Sequence, residues 1–265
     1  MEFQRVRYEA KDGIAVITLN HPEVLNATSD EMIAGLNQAL AEVEDRENRV
    51  RCVVLTGEGR GFCAGANLQQ KKGGPADGKG PGAGVILESL YHPLLRRLRD
   101  LPCPMIAAVN GVAAGIGMSL AMTGDLIVAA RSASFLQAFR RIGLCPDGGS
   151  TWMLPRRVGL ARALELSLLG EKLSAENAFE WGLINRLVDD AKLMDEAMAL
   201  ARNLAEGPTL ALALTRKLYW ESMKNTFEDQ INLECRSQMA VGRSADFREG
   251  VAAFLEKRPA QFKGE

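Results

Sequence analysis

Four short apolar runs in the first half of the chain constrain its fold most: residues 14–19 (IAVITL), 51–56 (RCVVLT), 105–109 (MIAAV) and 126–130 (LIVAA). Each is rich in β-branched or small apolar side chains and does not alternate with polar ones, the pattern of a strand buried on both faces. The segments between them read as helices. Thr28 and Glu31 have capping-box spacing, and Met32, Leu36, Leu40 and Val43 then recur three or four residues apart. Strand–helix–strand alternation predicts an α/β layered fold with parallel crossovers. At 265 residues, 47% of them hydrophobic, the chain is long enough to bury one large core.

After Val188 the character changes. Residues 191–206, 209–225, 226–241 and 245–257 read as helices, broken near Gly207, Pro208 and Gly242. Their alternating charged and apolar faces suit a region that covers the core or packs against another subunit. The domain reading is therefore a core over residues 1–200 and a helical region over 201–265. Residues 71–84 (KKGGPADGKGPGAG) carry six glycines and two prolines and read as a mobile loop, either a surface insertion or a lid over a site.

Composition excludes several function classes. Lys and Arg number 32 against 33 Asp and Glu, so the basic excess of a nucleic-acid binder is missing and no nucleic-acid partner is expected. The opening MEFQRVRYEAKDG is too charged for a signal peptide, and no 18-residue apolar stretch predicts a membrane span. Five cysteines at 52, 63, 103, 145 and 235 form no CxxC pair and read as reduced, buried thiols. A cytoplasmic protein is the expectation.

Several catalytic motifs fail on inspection. His21 and His92 are the only histidines and have no cysteine pair beside them, so no metal is expected. GEGRG at 57–61 lacks the third glycine of a dinucleotide fingerprint, and no GK[ST] completes a phosphate loop. Residues 117–121 (GMSLA) approximate a nucleophile elbow, but no histidine follows His92 to serve Ser119 as base. Cys63 lacks a histidine partner for the same reason.

Two glycine-rich turns remain: residues 61–68 (GFCAGANL), after the 51–56 strand, and residues 110–117 (NGVAAGIG), after the 105–109 strand and opening a helix. Small side chains let a ligand reach the backbone there. If the turns face each other, two main-chain N–H groups make an oxyanion hole for a thioester enolate. The bland alternative is tight packing at each turn. Asp147 stands in CPDGG, which on spacing alone reads as a turn.

The stretches FCAGANL, AAVNGVAAGIGMSLAMTGD, SASFLQAFRRIGLCPDGGSTWMLPRRVG and LSAENAFEWGLINRLV together resemble the crotonase (enoyl-CoA hydratase/isomerase) superfamily over essentially the whole chain. The stretches PDGG–TW–LPR and GRSADFREGVAAFLEKR resemble its isomerase branch. The resemblance implies a crotonase (ClpP-like) fold of stacked ββα units with a C-terminal helical trimerisation region. It implies an acyl-CoA thioester substrate, no separate cofactor (coenzyme A being part of the substrate), and a homotrimer or hexamer. It places the oxyanion donors at the N–H of Ala66 and of Ile116, the latter between Gly115 and Gly117. Ala64, Asn67 and Leu68 line the acyl-CoA cleft, and Leu25 and Ala27 lie near its adenine end.

The two acid–base glutamates of the hydratase branch fall at Ser119 and Phe139, neither of which moves a proton. The isomerase branch, and a dehalogenase branch, place a catalytic aspartate at Asp147. The implied activity is an acyl-CoA isomerase that shifts a double bond or opens a ring epoxide through a thioester enolate, with Asp147 carrying the proton. Ser119, Phe139 and Trp152 then line a pocket for an unsaturated or ring-bearing acyl group. Lys257 and Arg258 either meet the CoA phosphates or form a solvated helix end. The rivals are a hydratase with altered acid–base residues, a hydrolase or dehalogenase using Asp147 as nucleophile, and a non-catalytic CoA- or RNA-binding homologue.

Overall fold

The computed structural model describes residues 1–68 and 82–265. The expected loop at 71–84 lies outside these as far as residue 81, and its last residues open a helix at Ala83. The four apolar runs become strands β3 (Ile14–Leu19), β4 (Cys52–Gly57), β6 (Met105–Val109) and β8 (Leu126–Ala130). They pair in parallel, with Val54 opposite Ile106 and Ala107 opposite Ile127. Two antiparallel strands, β1 (Glu2–Phe3) and β2 (Val6–Lys11), extend one edge, and β11 (Arg186–Val188) closes the other. Both faces of the sheet are covered, which is why β6 is buried at every position.

A second, smaller sheet holds what sequence reading treats as turns. Strands β5 (Gly61–Cys63), β7 (Val112–Ala114) and β9 (Ser134–Leu136) run parallel, and β10 (Lys172–Ser174) joins antiparallel to β9. Each central strand of the large sheet thus hands over to a short strand of the small one: β4 to β5, β6 to β7, β8 to β9. The repeated unit is ββα, as the resemblance implies. The glycine-rich segment 110–117 corrects accordingly: it is a strand before it is a helix start, and three residues are too few to show a period.

Helix α1 (Asp30–Glu44) buries Met32, Leu36, Leu40 and Val43 as its spacing predicts. Its cap is Ser29, whose Oγ accepts the Met32 N–H at 3.2 Å, in place of the expected Thr28. The Thr28 hydroxyl is engaged elsewhere, as described below. The remaining helices are α2 (Ala83–Ile86), α3 (His92–Arg99), α4 (Ile116–Met122), α5 (Ser150–Val158), α6 (Leu160–Leu169), α7 (Ala175–Glu180), α8 (Leu193–Ala205), α9 (Thr209–Ser222), α10 (Phe227–Val241) and α11 (Ala245–Glu256). The alanines 197, 201 and 205 let α8 lie close across β4, β6 and β8.

Helix α9 is tied to the core through a buried charge. Arg216 pairs with Asp125 and donates to the carbonyls of Leu98, Arg99 and Leu101 at 2.9–3.1 Å. Asp125 also accepts the Met105 N–H at 2.7 Å. Burial pushes its carboxyl above the usual carboxylate range, against the opposing pull of Arg216. Beyond this tether α9–α11 leave Tyr219, Phe227, Phe254 and Leu255 largely exposed.

Cys52, Cys63 and Cys103 are buried thiols, whereas Cys145 and Cys235 are exposed, which corrects the expectation that all five are buried. No described helix is long and apolar enough to cross a membrane.

Candidate active site

The first turn is built by a short zipper between two segments. Ala64 N–H donates to Leu25 O at 2.9 Å, Thr28 N–H to Gly65 O at 2.7 Å, and Asn67 N–H to Thr28 O at 2.8 Å. In such a parallel bridge the partner residue's own N–H points the other way. Ala66 is that residue. Its N–H has no partner among the described residues, and the residue is exposed. Beneath it Cys63 is fully buried, and burial pushes its thiol up to about 12, so it is no nucleophile.

Asn26, which sequence reading passes over, anchors the other side of the zipper. It is wholly buried with φ +56°. Its Oδ1 accepts the His21 N–H at 2.8 Å, and its Nδ2 donates to the carbonyls of Glu58 and Gly61 at 2.9 and 2.7 Å. Asparagine tolerates the left-handed backbone that this position demands. Leu25 and Ala27 flank it, half-buried and buried, and Leu68 is exposed.

The second turn sits at the start of α4. Gly115 donates to Leu136 O, and its carbonyl accepts from Met118 and Ser119. Ile116 is the first helical residue, so its N–H has no carbonyl behind it and no partner among the described residues. Phe139 is buried and packs at Gly115.

Asp147 reaches the second turn through its own backbone. Ser119 is fully buried, and its Oγ donates to Asp147 O at 3.2 Å. The next residue, Gly148, has φ +62° and lies so close to α4 that a Cβ there would overlap the Ile116 Cδ1 methyl group. The Asp147 side chain is half-buried, and its Oδ1 is shielded from solvent with no hydrogen-bond partner among the described residues. Burial pushes its carboxyl above the usual carboxylate range, while the charge of His92 pulls it down. An unpaired, desolvated carboxylate oxygen is basic and has a lone pair free to take a proton.

Sequence reasoning missed two adjacent residues where the π-helical turn Leu87–Tyr91 runs into α3 at His92. Tyr91 is buried and lies 2.7 Å from the Thr28 hydroxyl. His92 and the Gly148–Gly149 backbone line one cavity of about 400 Å³ together with Trp152, Trp220 and Lys224. Only the extra residue in the helical turn marks the spot, and it leaves no trace in the sequence.

Three expected contributors, Trp152, Lys257 and Arg258, are arranged differently from the rest. Trp152 stacks on Trp220 at 5.0 Å, with Arg156 over its ring at 4.3 Å, in a cavity whose lining does not include Phe139. Lys257 is exposed at the left-handed end of α11, and no described contact joins it to either turn. The Arg258 fork is occupied by Glu249 and Glu256 at 2.6–2.9 Å.

The comparisons point in one direction. The profile described as Enoyl-CoA hydratase/isomerase matches residues 9–265. The 1,2-epoxyphenylacetyl-CoA isomerase of Escherichia coli (strain K12) is 51% identical over 265 residues, covering 100% of both chains. A probable enoyl-CoA hydratase of Rhodobacter capsulatus is 46% identical, again over 100% of both. Among solved structures, a putative enoyl-CoA hydratase from Streptomyces coelicolor A3(2) superposes with a TM-score of 0.91 at 37% identity, over 100% of this chain and 96% of that one.

Proposed function

This chain belongs to the enoyl-CoA hydratase/isomerase family, and from that premise we propose that it is an acyl-CoA isomerase working through a thioester enolate with Asp147 as its single proton carrier. The observation that carries the reading is the Asp147 Oδ1 atom, shielded from solvent and unpartnered, on a turn held to the helix that begins with the free Ile116 N–H.

The Ala66 and Ile116 N–H groups hold the thioester oxygen, which acidifies the neighbouring carbon. Asp147 removes a proton from that carbon, and the electron pair moves onto the oxygen facing the two donors. With a β,γ-unsaturated acyl group the charge spreads along the chain. The carboxyl group returns its proton to the γ carbon, and the conjugated thioester leaves. With a ring epoxide, the kind of substrate named for the Escherichia coli relative, the electron pair freed at the α carbon forms a double bond to the ring carbon and breaks that carbon's bond to the epoxide oxygen, and the carboxyl group returns its proton to that oxygen. Each donor contributes about 10²- to 10³-fold, and the positioned carboxylate about 10²- to 10⁴-fold.

The hydratase reading lacks the pair of glutamates that the family's hydratase branch uses to hold and activate water. Ser119 and Phe139 stand where the family resemblance puts glutamates, and the Ser119 hydroxyl is bound to Asp147 O. No cofactor beyond the CoA of the substrate enters this mechanism. The exposed apolar side chains that α9 and α11 bring together, Leu210, Phe247, Val251, Phe254 and Leu255, support a homotrimer or a hexamer, because a contiguous apolar face of this kind is normally covered. Residues 201–265 then serve as the oligomerisation region beside the 1–200 core, and Lys257 meets CoA phosphates on a neighbouring chain.

The test compares two reactions of the purified protein. It converts a β,γ-enoyl-CoA into the absorbing α,β-isomer, and it hydrates crotonyl-CoA no faster than background. Rapid hydration with no isomerisation would refute the reading.

A further inference from the structure

We propose that Tyr91 and Thr28 form a hydroxyl relay that orients and polarises the Ala66 N–H, which makes both of them positioning residues for the isomerisation; the relay rests on the reading of Ala66 as an oxyanion donor. The Gly65 carbonyl and the Ala66 N–H belong to one planar trans peptide and point in opposite directions. Whatever fixes the carbonyl therefore aims the N–H. Thr28 grips that carbonyl twice, through its N–H at 2.7 Å and its Oγ1 at 3.3 Å.

The proton order in the relay follows from counting hydrogens. A threonine hydroxyl has one to give. If it goes to Gly65 O, the 2.7 Å contact between Thr28 Oγ1 and the Tyr91 phenol is donated by Tyr91. The chain runs from the Tyr91 O–H to the Thr28 O–H, to the Gly65 carbonyl, and through the peptide to the Ala66 N–H and a ligand oxygen.

Every donor in it strengthens the next, and the gain is larger where water is excluded. Thr28 and Tyr91 are only 2% and 7% exposed. Burial also holds the Tyr91 phenol up at about 12, so it remains a donor across the working pH range.

The placement of Tyr91 ties the relay to the other half of the site. It ends the π-helical turn Leu87–Tyr91, and the next residue is His92, whose charge acts on Asp147. Adjacent residues of one chain segment thus touch Thr28 on one side and line the cavity beside Gly148 on the other.

The test uses Tyr91→Phe, which keeps the ring and removes only the hydroxyl, with Thr28→Val and Thr28→Ser beside it. Two readouts separate positioning from simple support: the split between kcat and KM, and the carbonyl stretch of bound benzoyl-CoA labelled with ¹³C at its thioester carbon. The relay predicts that Tyr91→Phe lowers kcat about 2- to 10-fold, the worth of one neutral hydrogen bond, with KM nearly unchanged. It also predicts that the carbonyl stretch moves back toward its free value. Thr28→Val should match it, Thr28→Ser should restore both readouts, and the double variant should lose no more than either single one. If the wild type shifts the carbonyl stretch and Tyr91→Phe and Thr28→Val shift it equally, with unchanged kcat, the relay is overturned and the oxyanion reading stands. If the wild type itself leaves the stretch at its free value, that reading falls and takes the relay with it.

Discussion

Gly148→Ala is the most informative perturbation of the site's frame. Gly148 has φ +62°, and an added Cβ would overlap the Ile116 Cδ1 and sit 2.8 and 2.9 Å from the Ser119 Oγ and Cβ. The left-handed backbone costs a non-glycine residue about 1–2 kcal/mol. Forcing Ile116 from its rotamer adds about 0.5–1.5 kcal/mol. The sum, roughly 1.5–3.5 kcal/mol, lowers Tm by several degrees in a chain of this size. The overlap also pushes the Asp147 turn away from α4. A misplacement near 1 Å costs up to about 10²-fold in rate, so kcat should fall about 10- to 100-fold.

Gly143→Ala is the matched control. Its φ is +71°, and nothing lies within 4 Å of the added Cβ. It carries the backbone penalty without the overlap and should keep wild-type kcat. The assay pairs thermal unfolding with β,γ-enoyl-CoA turnover for both variants. Equal kcat in Gly148→Ala and Gly143→Ala would refute the claim that the contact with α4 sets the carboxylate's position.

Three further expectations can be measured directly. The reaction needs ionised Asp147, whose carboxyl is held above its ordinary value of 3.8 by burial, so kcat/KM should climb with pH through an acid limb above that value. His92→Gln removes the opposing charge and should move the limb higher; a limb that moves lower or stays put contradicts the assignment. Linkage gives the stability sign: the folded state holds this proton more tightly, so the group's contribution is greatest below 3.8 and is lost as pH rises through the raised value. Arg216→Met removes the buried partner of the half-buried Asp125 and leaves the Leu98 and Leu101 carbonyls without their donor; it should cost about 1–3 kcal/mol in urea unfolding, while leaving the acid limb of the surviving folded enzyme in place. Phe254→Glu with Leu255→Glu, at side chains 82% and 73% exposed in the single chain, should convert a trimer or hexamer to monomer by light scattering; a wild-type monomer would sink the oligomer proposal.

The sequence discloses the four central strands of the large sheet because they are buried on both faces, and runs such as MIAAV have no polar interruption; β1, β2 and β11 at its edges go unread, β2 being exposed over its last three residues. The tail helices are legible for the complementary reason, since their faces differ. The small sheet is hidden because three residues at β5, β7 or β9 cannot show a period. The Thr28 cap misleads because its hydroxyl is drawn away by Gly65 and Tyr91, a contact spanning 63 residues. Asp147 reads as an ordinary turn until the family resemblance singles it out. Its burial, the grip of Ser119 and the field of His92 arise only when α3, α4 and the 145–149 turn meet.

The central claim is that one carboxyl group carries a hydrogen from one carbon of the acyl group to another. It is tested most directly by single turnover, in ordinary water, of a β,γ-enoyl-CoA deuterated at its α carbon. Wild type should deliver measurable deuterium to the γ carbon of the product, and Asp147→Asn should lose about 10²- to 10⁴-fold in rate. Product carrying only solvent hydrogen at that carbon, formed equally fast by Asp147→Asn, would contradict the account.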